Sequence, residues 1–270
     1  MPSMKDRIGL KELSSGGSIH LLRALFAEFL GTLFLNFFGC ASTVHKWSSD
    51  ASANIIQISL AFGLAGASII QCICHVSGGH INPAVTLAMI FTSNITIVRG
   101  LLYIVVQCLG AIAGSGILMA LTPGDIGGSL GTTAPEVRLT EPQALGMEFI
   151  LGFMLILVVF AVCDPPRNLG NQAPLAIGFA ILLGHLAAIP YTGSSMNPAR
   201  SFGSAVVASH WDHHWVYWLG PSLGGICAGL IYKHGFAMQP QHKEESEYRP
   251  VRAEEKELQL INVKKGGENA

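Results

Sequence analysis

The sequence predicts an all-α membrane protein in which six transmembrane helices and two re-entrant half-helices form an inverted 3+3 repeat. Three observations lead to this prediction. Half of the 270 residues are hydrophobic and only 12% are charged, and the mean hydropathy is +0.46, a balance unlike that of a soluble domain. Six apolar stretches approach the length of a membrane span, and the tripeptide Asn-Pro-Ala occurs twice, beginning at Asn82 and at Asn197.

A helix needs about 20 apolar residues to cross a hydrocarbon core about 30 Å thick. The predicted spans are Leu21 to Ala41, Ala53 to Cys74, Gly100 to Leu121, Ala144 to Cys163, Ala173 to Ile189 and Trp215 to Tyr232. The first span contains Glu28 and Asn36 and lacks the short apolar run and cleavage site of a signal peptide. We therefore expect it to remain as a membrane anchor.

Lysine and arginine residues concentrate near the two ends of the chain. Four of them lie at or before the start of the first span, and seven follow the last span. An even number of spans places both ends on one side of the membrane, and the positive-inside rule makes that side cytoplasmic. The predicted organisation is a cytoplasmic segment at 1–20, a transmembrane domain at 21–233 with repeats at about 21–121 and 143–233, and a flexible cytoplasmic tail at 234–270. A cell membrane, crossed several times, is the predicted location.

The sequence does not predict an enzyme, a cofactor or a nucleic-acid partner. It contains no recognisable nucleophile–base pair or phosphate-binding loop. The six cysteines do not resemble a secreted disulfide framework, and the spacing of Cys72, Cys74 and His75 matches no usual zinc pattern. No metal site is therefore predicted.

The two halves of the chain carry the same features in the same order. AEFLGTLF from Ala27 aligns with MEFILGFM from Met147, AFGLAGAS from Ala61 with GFAILLGH from Gly178, and SGGHINPAV from Ser77 with TGSSMNPAR from Thr192. Because three spans end on the side opposite to their start, the second copy is inserted upside down relative to the first. Inverted repeats of this kind place their functional site near the bilayer midplane.

Each Asn-Pro-Ala motif, Asn82-Pro83-Ala84 and Asn197-Pro198-Ala199, has the chemistry of a helix start. Asparagine caps free amides, and proline fits the first helical position. The helix predicted from Asn82 to about Ile90 would be roughly 14 Å long, which reaches only the midplane. The extended residues before each motif then lie at membrane depth, which is tolerated only inside protein or beside a wet cavity.

Two half-helices that meet at their amino ends bring together two positive dipole ends and the carboxamides of Asn82 and Asn197. Such a point repels cations, and each asparagine can donate an N–H to the oxygen of a passing water molecule. A water that accepts two such bonds cannot readily relay a proton. The motifs therefore predict a pore that passes water and excludes ions and protons.

Glu28 and Glu148 occupy equivalent places in the two halves, inside spanning helices where a carboxyl group is costly. Carboxylates at this depth can accept hydrogen bonds from the non-helical backbone of the two loops, and we predict that they brace those loops. The alternative is that they are charges facing the lumen of the pore.

Together, these residues closely resemble the aquaporin (major intrinsic protein) family, in its water-selective animal type. The resemblance covers about Leu21 to Tyr232 and includes both motifs, Arg200 after the second motif and the repeat. It implies that Phe62, His185, Ser194 and Arg200 form the selectivity filter of the pore. It also implies that His75 lines the cytoplasmic part of the pore.

The function implied is a passive, water-selective channel that follows osmotic gradients, with water as the permeant and the lipid bilayer as its surroundings. The resemblance further implies a homotetramer. Two alternatives stay open: a facilitator of small neutral solutes such as glycerol or urea, and a membrane junction or scaffold protein.

Overall fold

The computed structural model describes residues 4–13, 18–44, 54–165 and 172–237, and these residues form helices joined by short loops. The predicted tail from residue 238 onward lies outside the described part of the chain. In chain order, the helices are α1 (Met4–Ile8), α2 (Ser18–Ala41), α3 (Ile55–Ser77), α4 (Pro83–Phe91), α5 (Ile97–Leu121), α6 (Glu141–Cys163), α7 (Ala173–Thr192), α8 (Pro198–Ala208) and α9 (Val216–Ile231). A 3-10 turn at Leu10–Leu13 follows α1, and a π-helical turn at Tyr232–Phe236 follows α9.

Five of the described helices, α2, α3, α5, α6 and α7, are long and apolar enough to cross a membrane. The sixth predicted span corresponds to α9, which has 16 residues and continues directly into the π-helical turn. Residues 234–236 belong to that turn, although the sequence assigned them to the tail. The predicted half-helices correspond to α4 with 9 residues and α8 with 11 residues.

Polar residues at the helix ends define several of these boundaries. Asn54 caps α3, with its side-chain oxygen accepting from the N–H groups of Ile56 and Gln57 at 3.0 and 3.2 Å. At its other end, α3 stops at Gly78, which adopts the left-handed conformation with φ of 92°. Gly193 ends α7 in the same way, with φ of 76°.

The packing of the helices follows a pseudo-two-fold relation between the halves. Helix α2 packs on α5 as α6 packs on α9, and α2 packs on α3 as α6 packs on α7. The half-helices are exchanged, because α4 packs on α9 of the second half and α8 packs on α5 of the first half. Each half-helix is thus held by the opposite repeat.

Helices α3 and α7 cross at the centre of this arrangement, where Gly63 and Gly178 lie against each other. A Cβ atom added to Gly63 would lie 2.8 Å from the carbonyl oxygen of Gly178, and one added to Gly178 would lie 2.6 Å from that of Gly63. This reciprocal contact pairs Gly63 with Gly178. The sequence alignment, which placed Gly178 opposite Ala61, was therefore shifted by two residues in these helices.

We expect a Gly178→Ala substitution to destabilise the protein. The added methyl group would meet the Cβ atom of Ala67 at 2.6 Å as well as the Gly63 carbonyl, and overpacking of this kind costs about 1–3 kcal/mol. The matched control is Gly116→Ala, since no atom lies within 4 Å of the new Cβ there and alanine favours a helix over glycine by about 0.5–1 kcal/mol. Melting temperatures of the purified protein in detergent should fall for the first variant and hold or rise for the second. Equal melting temperatures would contradict the close crossing.

Candidate functional site

The amino ends of α4 and α8 meet through two reciprocal hydrogen bonds. The side-chain Nδ2 of Asn82 donates to the carbonyl oxygen of Met196 at 2.9 Å, and Nδ2 of Asn197 donates to that of Ile81 at 2.8 Å. Each asparagine therefore binds the residue that precedes the other asparagine. These hydrogen bonds bring the two Asn-Pro-Ala motifs, each predicted to start a helix, into contact.

The same two side chains also cap their own helices. Oδ1 of Asn82 accepts from the N–H of Ala84 at 2.8 Å, and Oδ1 of Asn197 accepts from Ala199 and Arg200 at 3.0 and 3.2 Å. Pro83 and Pro198 occupy the first turn of each helix, where no amide donor is needed. The carboxamide orientation is thus fixed on both sides, by the cap and by the cross-link.

The residues before the asparagines hold an unusual backbone conformation. Ile81 and Met196 have φ values of 44° and 57°, in the left-handed region. A β-branched residue such as isoleucine rarely adopts this region. The surrounding contacts therefore impose the conformation, and in both loops it belongs to the residue whose carbonyl receives the opposing asparagine.

Buried carboxylates hold these two loops. Glu28 accepts four hydrogen bonds: from the Ser77 hydroxyl at 2.6 Å, the His80 N–H at 2.9 Å, the Ile81 N–H at 2.6 Å and the Gln107 amide at 2.8 Å. This places Glu28, which is fully buried, against the backbone of the first loop. The geometry matches a bracing role more closely than that of a charge facing the lumen.

Glu148 makes the equivalent contacts in the second half. It accepts from the Thr192 hydroxyl at 2.6 Å, the Ser195 N–H at 2.9 Å and the Met196 N–H at 3.0 Å. Ser77 and Thr192 are the last residues of α3 and α7, so each hydroxyl joins the end of a spanning helix to the carboxylate. In both halves, a buried glutamate thus accepts hydrogen bonds from a hydroxyl at the end of a spanning helix and from two loop N–H groups.

Two tyrosines also hold the loops. This role was not predicted from the sequence for either of them. The hydroxyl of Tyr103 donates to the Ser77 carbonyl at 2.9 Å, and that of Tyr217 donates to the Thr192 carbonyl at 2.8 Å. Both side chains are fully buried. The signal available in the sequence was the equal placement of the two tyrosines ahead of the glycine-rich stretches at Gly110 and Gly224.

A cavity of about 480 Å³ passes beside the junction of the half-helices. Asn82 and Asn197 line its middle, and Phe62, His185 and Arg200 line it as well. Residues at the carboxyl ends of α3 and α6 and in the turn after α4 also line it, namely Cys74, Ser77, Cys163, Asn94 and Ile95. Three of the four predicted filter residues and both asparagines therefore share one cavity.

The predicted filter residues pack closely. The rings of Phe62 and His185 are stacked with centroids 4.3 Å apart, and the guanidinium carbon of Arg200 lies 4.9 Å from the centre of the Phe62 ring. Nη1 of Arg200 donates to the Gly131 carbonyl at 2.6 Å, so the loop between α5 and α6 fixes this side chain.

Three predicted filter residues have buried polar atoms without a partner. In the described part of the chain, four such side-chain atoms occur, and His185 Nε2, Ser194 Oγ and Arg200 Nε are among them. Buried polar atoms are normally hydrogen-bonded. Of these residues, His185 and Arg200 line the cavity, so their free N–H or ring nitrogen atoms lie beside the space that a permeating molecule would occupy.

Ser194 and His75 are not among the residues that line the cavity. Ser194 is fully buried, and its neighbour Ser195 lines the cavity instead. His75 is exposed, whereas Cys74 and Gln71 of the same helix line the cavity. A helix turns about 100° per residue, so His75, four residues after Gln71, lies about 40° around the helix from a residue that lines the cavity. The pore-lining place of the His75 side chain stays a prediction.

Of the histidines after α8, His214 lies in an aromatic cluster, and His213 pairs with Glu141. His214 accepts from Trp218 Nε1 at 3.2 Å and packs edge-on against Trp211. Burial lowers the pKa of His214, so its imidazole is neutral at pH 7. The described residues contain no group of three side chains placed to hold a metal ion.

Comparison with known proteins identifies the family. Residues 15–232 match the family described as Major intrinsic protein. The chain belongs to this family. Membership supports the prediction of a channel protein rather than an enzyme.

Individual members of the major intrinsic protein family are similar over most of the chain. Aquaporin-4 of Mus musculus is 47% identical over 217 residues, covering 79% of this chain and 67% of that protein. Aquaporin-5 of Sus scrofa is 48% identical over 217 residues, covering 80% of this chain and 81% of that protein. The predicted resemblance to water-selective animal aquaporins is confirmed.

A solved member of the family supports the fold. The X-ray structure of the aquaglyceroporin from Plasmodium falciparum aligns with a TM-score of 0.73 and 24% identity, covering 80% of this chain and 96% of that chain. At this identity the likeness concerns the fold alone. The prediction of an all-helical membrane fold of the aquaporin type is confirmed.

We expect Glu148→Gln to weaken the second loop. A glutamine presents one acceptor and one donor group, so at least one of the three donors that Glu148 receives would lose its partner, at a cost of about 1–3 kcal/mol. The melting temperature and the water permeability per protein copy in vesicles should both fall. Asp125→Asn is the control, because Asp125 is exposed in the loop between α5 and α6. Identical behaviour of the two variants would contradict the bracing role.

Thiol modification should report which face of α3 lines the cavity. Cys72 and Cys74 are both exposed, but Cys74 and Cys163 line the cavity and Cys72 does not. A charged methanethiosulfonate reagent should lower water permeability of the unmodified protein, since it adds bulk to the passage. The reagent should have no effect on a variant with serine at 74 and 163, whereas the Cys72→Ser variant should respond like the parent. Protection by Cys72→Ser would contradict the assignment of the cavity.

Proposed function

We propose that this protein is a passive water-selective channel that moves water along osmotic gradients and excludes protons and ions. Its relatives named aquaporin and its multi-pass helical fold support a water channel. The observation that carries the selectivity proposal is the junction of α4 and α8, where two asparagines cross-link the half-helices and line a cavity.

The donor count at this junction supports the exclusion of protons. An asparagine amide carries two N–H bonds. In Asn82 and in Asn197, the structure assigns Nδ2 to one carbonyl of the opposite loop, which leaves the second N–H of each for a permeating molecule. A water whose oxygen accepts both bonds directs its own hydrogens away from the junction. It then cannot accept a hydrogen bond from the next water, and proton relay along the file is interrupted.

Fixed positive charge supports the exclusion of cations. The amino ends of α4 and α8 point at the junction with their partial positive charges. Arg200, which is 3% exposed, adds a full charge beside the same cavity. Neutral molecules pass these charges without the electrostatic cost that a cation meets.

The packing of Phe62, His185 and Arg200 supports a filter for water over larger solutes. The stacked rings occupy volume beside the guanidinium group, and His185 Nε2 and Arg200 Nε are free to bind. Ser194 does not line the cavity, and we propose that it supports the filter as a buried residue of the second loop. For the two alternatives, a glycerol or urea facilitator and a junction or scaffold protein, no observation on the described residues speaks in favour.

The topology and assembly also belong to this proposal. The concentration of lysine and arginine near the chain ends supports cytoplasmic termini, with a transmembrane domain at 21–233 between a short amino-terminal segment and a tail from 234. The family resemblance supports a homotetramer with one pore in each subunit. Exposed hydrophobic side chains on the outer faces of the helices, such as Phe26, Leu64 and Phe179, suit contact with lipid or with neighbouring subunits.

Stopped-flow light scattering on vesicles containing the purified protein tests the function and the filter together. The wild-type protein should accelerate osmotic shrinkage and leave glycerol entry at the level of empty vesicles. His185→Gly should admit glycerol, because removal of the imidazole opens space beside Phe62 and Arg200. Shrinkage no faster than that of empty vesicles would contradict the water channel.

The control for His185→Gly is His75→Gly. His75 is an exposed histidine outside the cluster of Phe62, His185 and Arg200, so this variant should keep wild-type selectivity. Glycerol entry through both variants, or through neither, would contradict the proposed role of His185.

A further inference from the structure

The amino-terminal segment, here the described residues 4–13, is docked against the start of α5. Glu12 accepts a hydrogen bond from the Thr96 hydroxyl at 2.5 Å and one from Arg99 Nε at 2.7 Å. Gly9, with φ of 85°, lies so close to Thr96 that a Cβ atom would overlap the threonine side chain. The segment is therefore seated on α5 both by its backbone and by an ion pair.

Hydrogen bonds continue from this ion pair into the centre of the protein. Arg99 Nη1 donates to the Tyr103 hydroxyl at 3.3 Å, and that hydroxyl donates to the Ser77 carbonyl at 2.9 Å. The Ser77 hydroxyl in turn donates to Glu28 at 2.6 Å. The chain of contacts thus reaches the carboxylate that holds the first loop.

The last residue in this series of hydrogen bonds, Glu28, also restrains the junction of the half-helices. Glu28 fixes the N–H groups of His80 and Ile81, and the Ile81 carbonyl accepts from Asn197. A shift of Ser77 would therefore be transmitted to the acceptor of one of the two cross-links. Because Ile81 is held in a left-handed conformation, loss of restraint would let its backbone relax.

The ion pair is well placed to hold α5 and the segment together. The Arg99 and Glu12 side chains are 26% and 19% exposed, whereas those of Lys11 and Asp6, in the same segment, are 86% and 47% exposed. Exposed pairs contribute little to structure, because water and salt screen them. Arginine also bonds two partners at fixed angles here, which a lysine cannot reproduce.

A cleft beside the pair connects it with the cavity. The cleft, of about 360 Å³, is lined by Glu12 and Arg99 and shares Ser77, Asn94 and Ile95 with the cavity. The pair therefore lies next to the end of the water pathway, separated from it by those three residues.

The second half has a different pair at the equivalent place. His213 precedes Tyr217 by four residues, as Arg99 precedes Tyr103. The His213 side chain pairs with Glu141 at 2.8 Å. Glu141 is the first residue of the spanning helix α6. In the second half the equivalent acid is thus part of the helix bundle, whereas in the first half it comes from the amino-terminal segment.

We propose that Glu12 and Arg99 are positioning residues for the first Asn-Pro-Ala loop, so that the amino-terminal segment sets the rate of water passage through the junction. The inference rests on the proposed function, because its consequence is measured as water permeability. Neither residue touches the permeant. They act through Tyr103, Ser77 and Glu28.

The first experiment compares Glu12→Gln with Asp6→Asn in vesicles. Glu12→Gln should lower the osmotic water permeability per inserted copy by about two- to fivefold, in keeping with the modest coupling that packed networks transmit. Asp6→Asn removes a carboxylate from the same segment, but from the exposed pair, and should leave permeability unchanged. The melting temperature of each variant in detergent is measured alongside. A lower melting temperature of Glu12→Gln with unchanged permeability per copy would overturn the proposal in favour of a purely stabilising contact.

The second experiment tests the path. If the effect travels through Tyr103, then Tyr103→Phe alone should lower permeability, and the double variant Glu12→Gln with Tyr103→Phe should resemble Tyr103→Phe, because coupled residues are not additive. Additive losses in the double variant would overturn the path. If Glu12→Gln fails to insert, Arg99→Lys replaces it. Arg99→Lys keeps the charge opposite Glu12 but lacks the planar fork, so it should match Tyr103→Phe, and wild-type permeability of this variant would overturn the proposal.

These outcomes are distinct from failure of the proposed function. Vesicles with the wild-type protein that shrink no faster than empty ones would refute the water channel itself. Fast shrinkage with the wild-type protein and with Glu12→Gln alike would refute only the role of the amino-terminal segment.

Discussion

Non-helical backbone in the middle of a membrane needs hydrogen-bond partners from the protein, and this requirement governs the structure. The two loops before α4 and α8 present N–H groups that neither a helix nor lipid can satisfy. Glu28 and Glu148 accept them, and each carboxylate gains enough donors to remain buried. The same hydrogen bonds therefore reduce two desolvation costs, that of the non-helical loop backbone and that of the buried carboxylate. Once the loops are fixed, their carbonyls are in place to receive the opposing asparagines, and the junction follows.

Much of this arrangement could be predicted from the sequence, because its strongest signals are local. Span length, the doubled Asn-Pro-Ala motif and the matched glutamates indicated the helices, the half-helices and the partners of the loops. The helix limits were less accurate where side chains decide them. Helix α7 continues through Pro190 to Thr192, three residues beyond the predicted end of the span at Ile189. Its last residue, Thr192, is buried and donates its hydroxyl to Glu148.

Features that depend on the relative rotation of helices could not be predicted from residue type. The side of α3 that faces the cavity depends on the rotation of that helix, and apolar periodicity is weak in a span that is hydrophobic on all sides. Ser194 and Ser195 differ in the same way within a loop of irregular backbone. The pairing of Gly63 with Gly178 depends on a crossing between distant segments. The link from Glu12 to Tyr103 joins a polar segment to a buried tyrosine, and the residue types alone do not predict that contact.

The contact between Gly63 and Gly178 has a consequence for the origin of the two halves. A residue that meets its own counterpart across a two-fold axis would have met an identical copy of itself if the halves arose from one ancestral gene whose product paired with itself. In such a dimer, a single mutation away from glycine would have inserted two methyl groups into one crossing at the same time. After fusion, the two positions vary separately, and one chain can change on one side of the axis while the other side compensates. Under such an origin, joining the halves would have released each position from a doubled steric penalty.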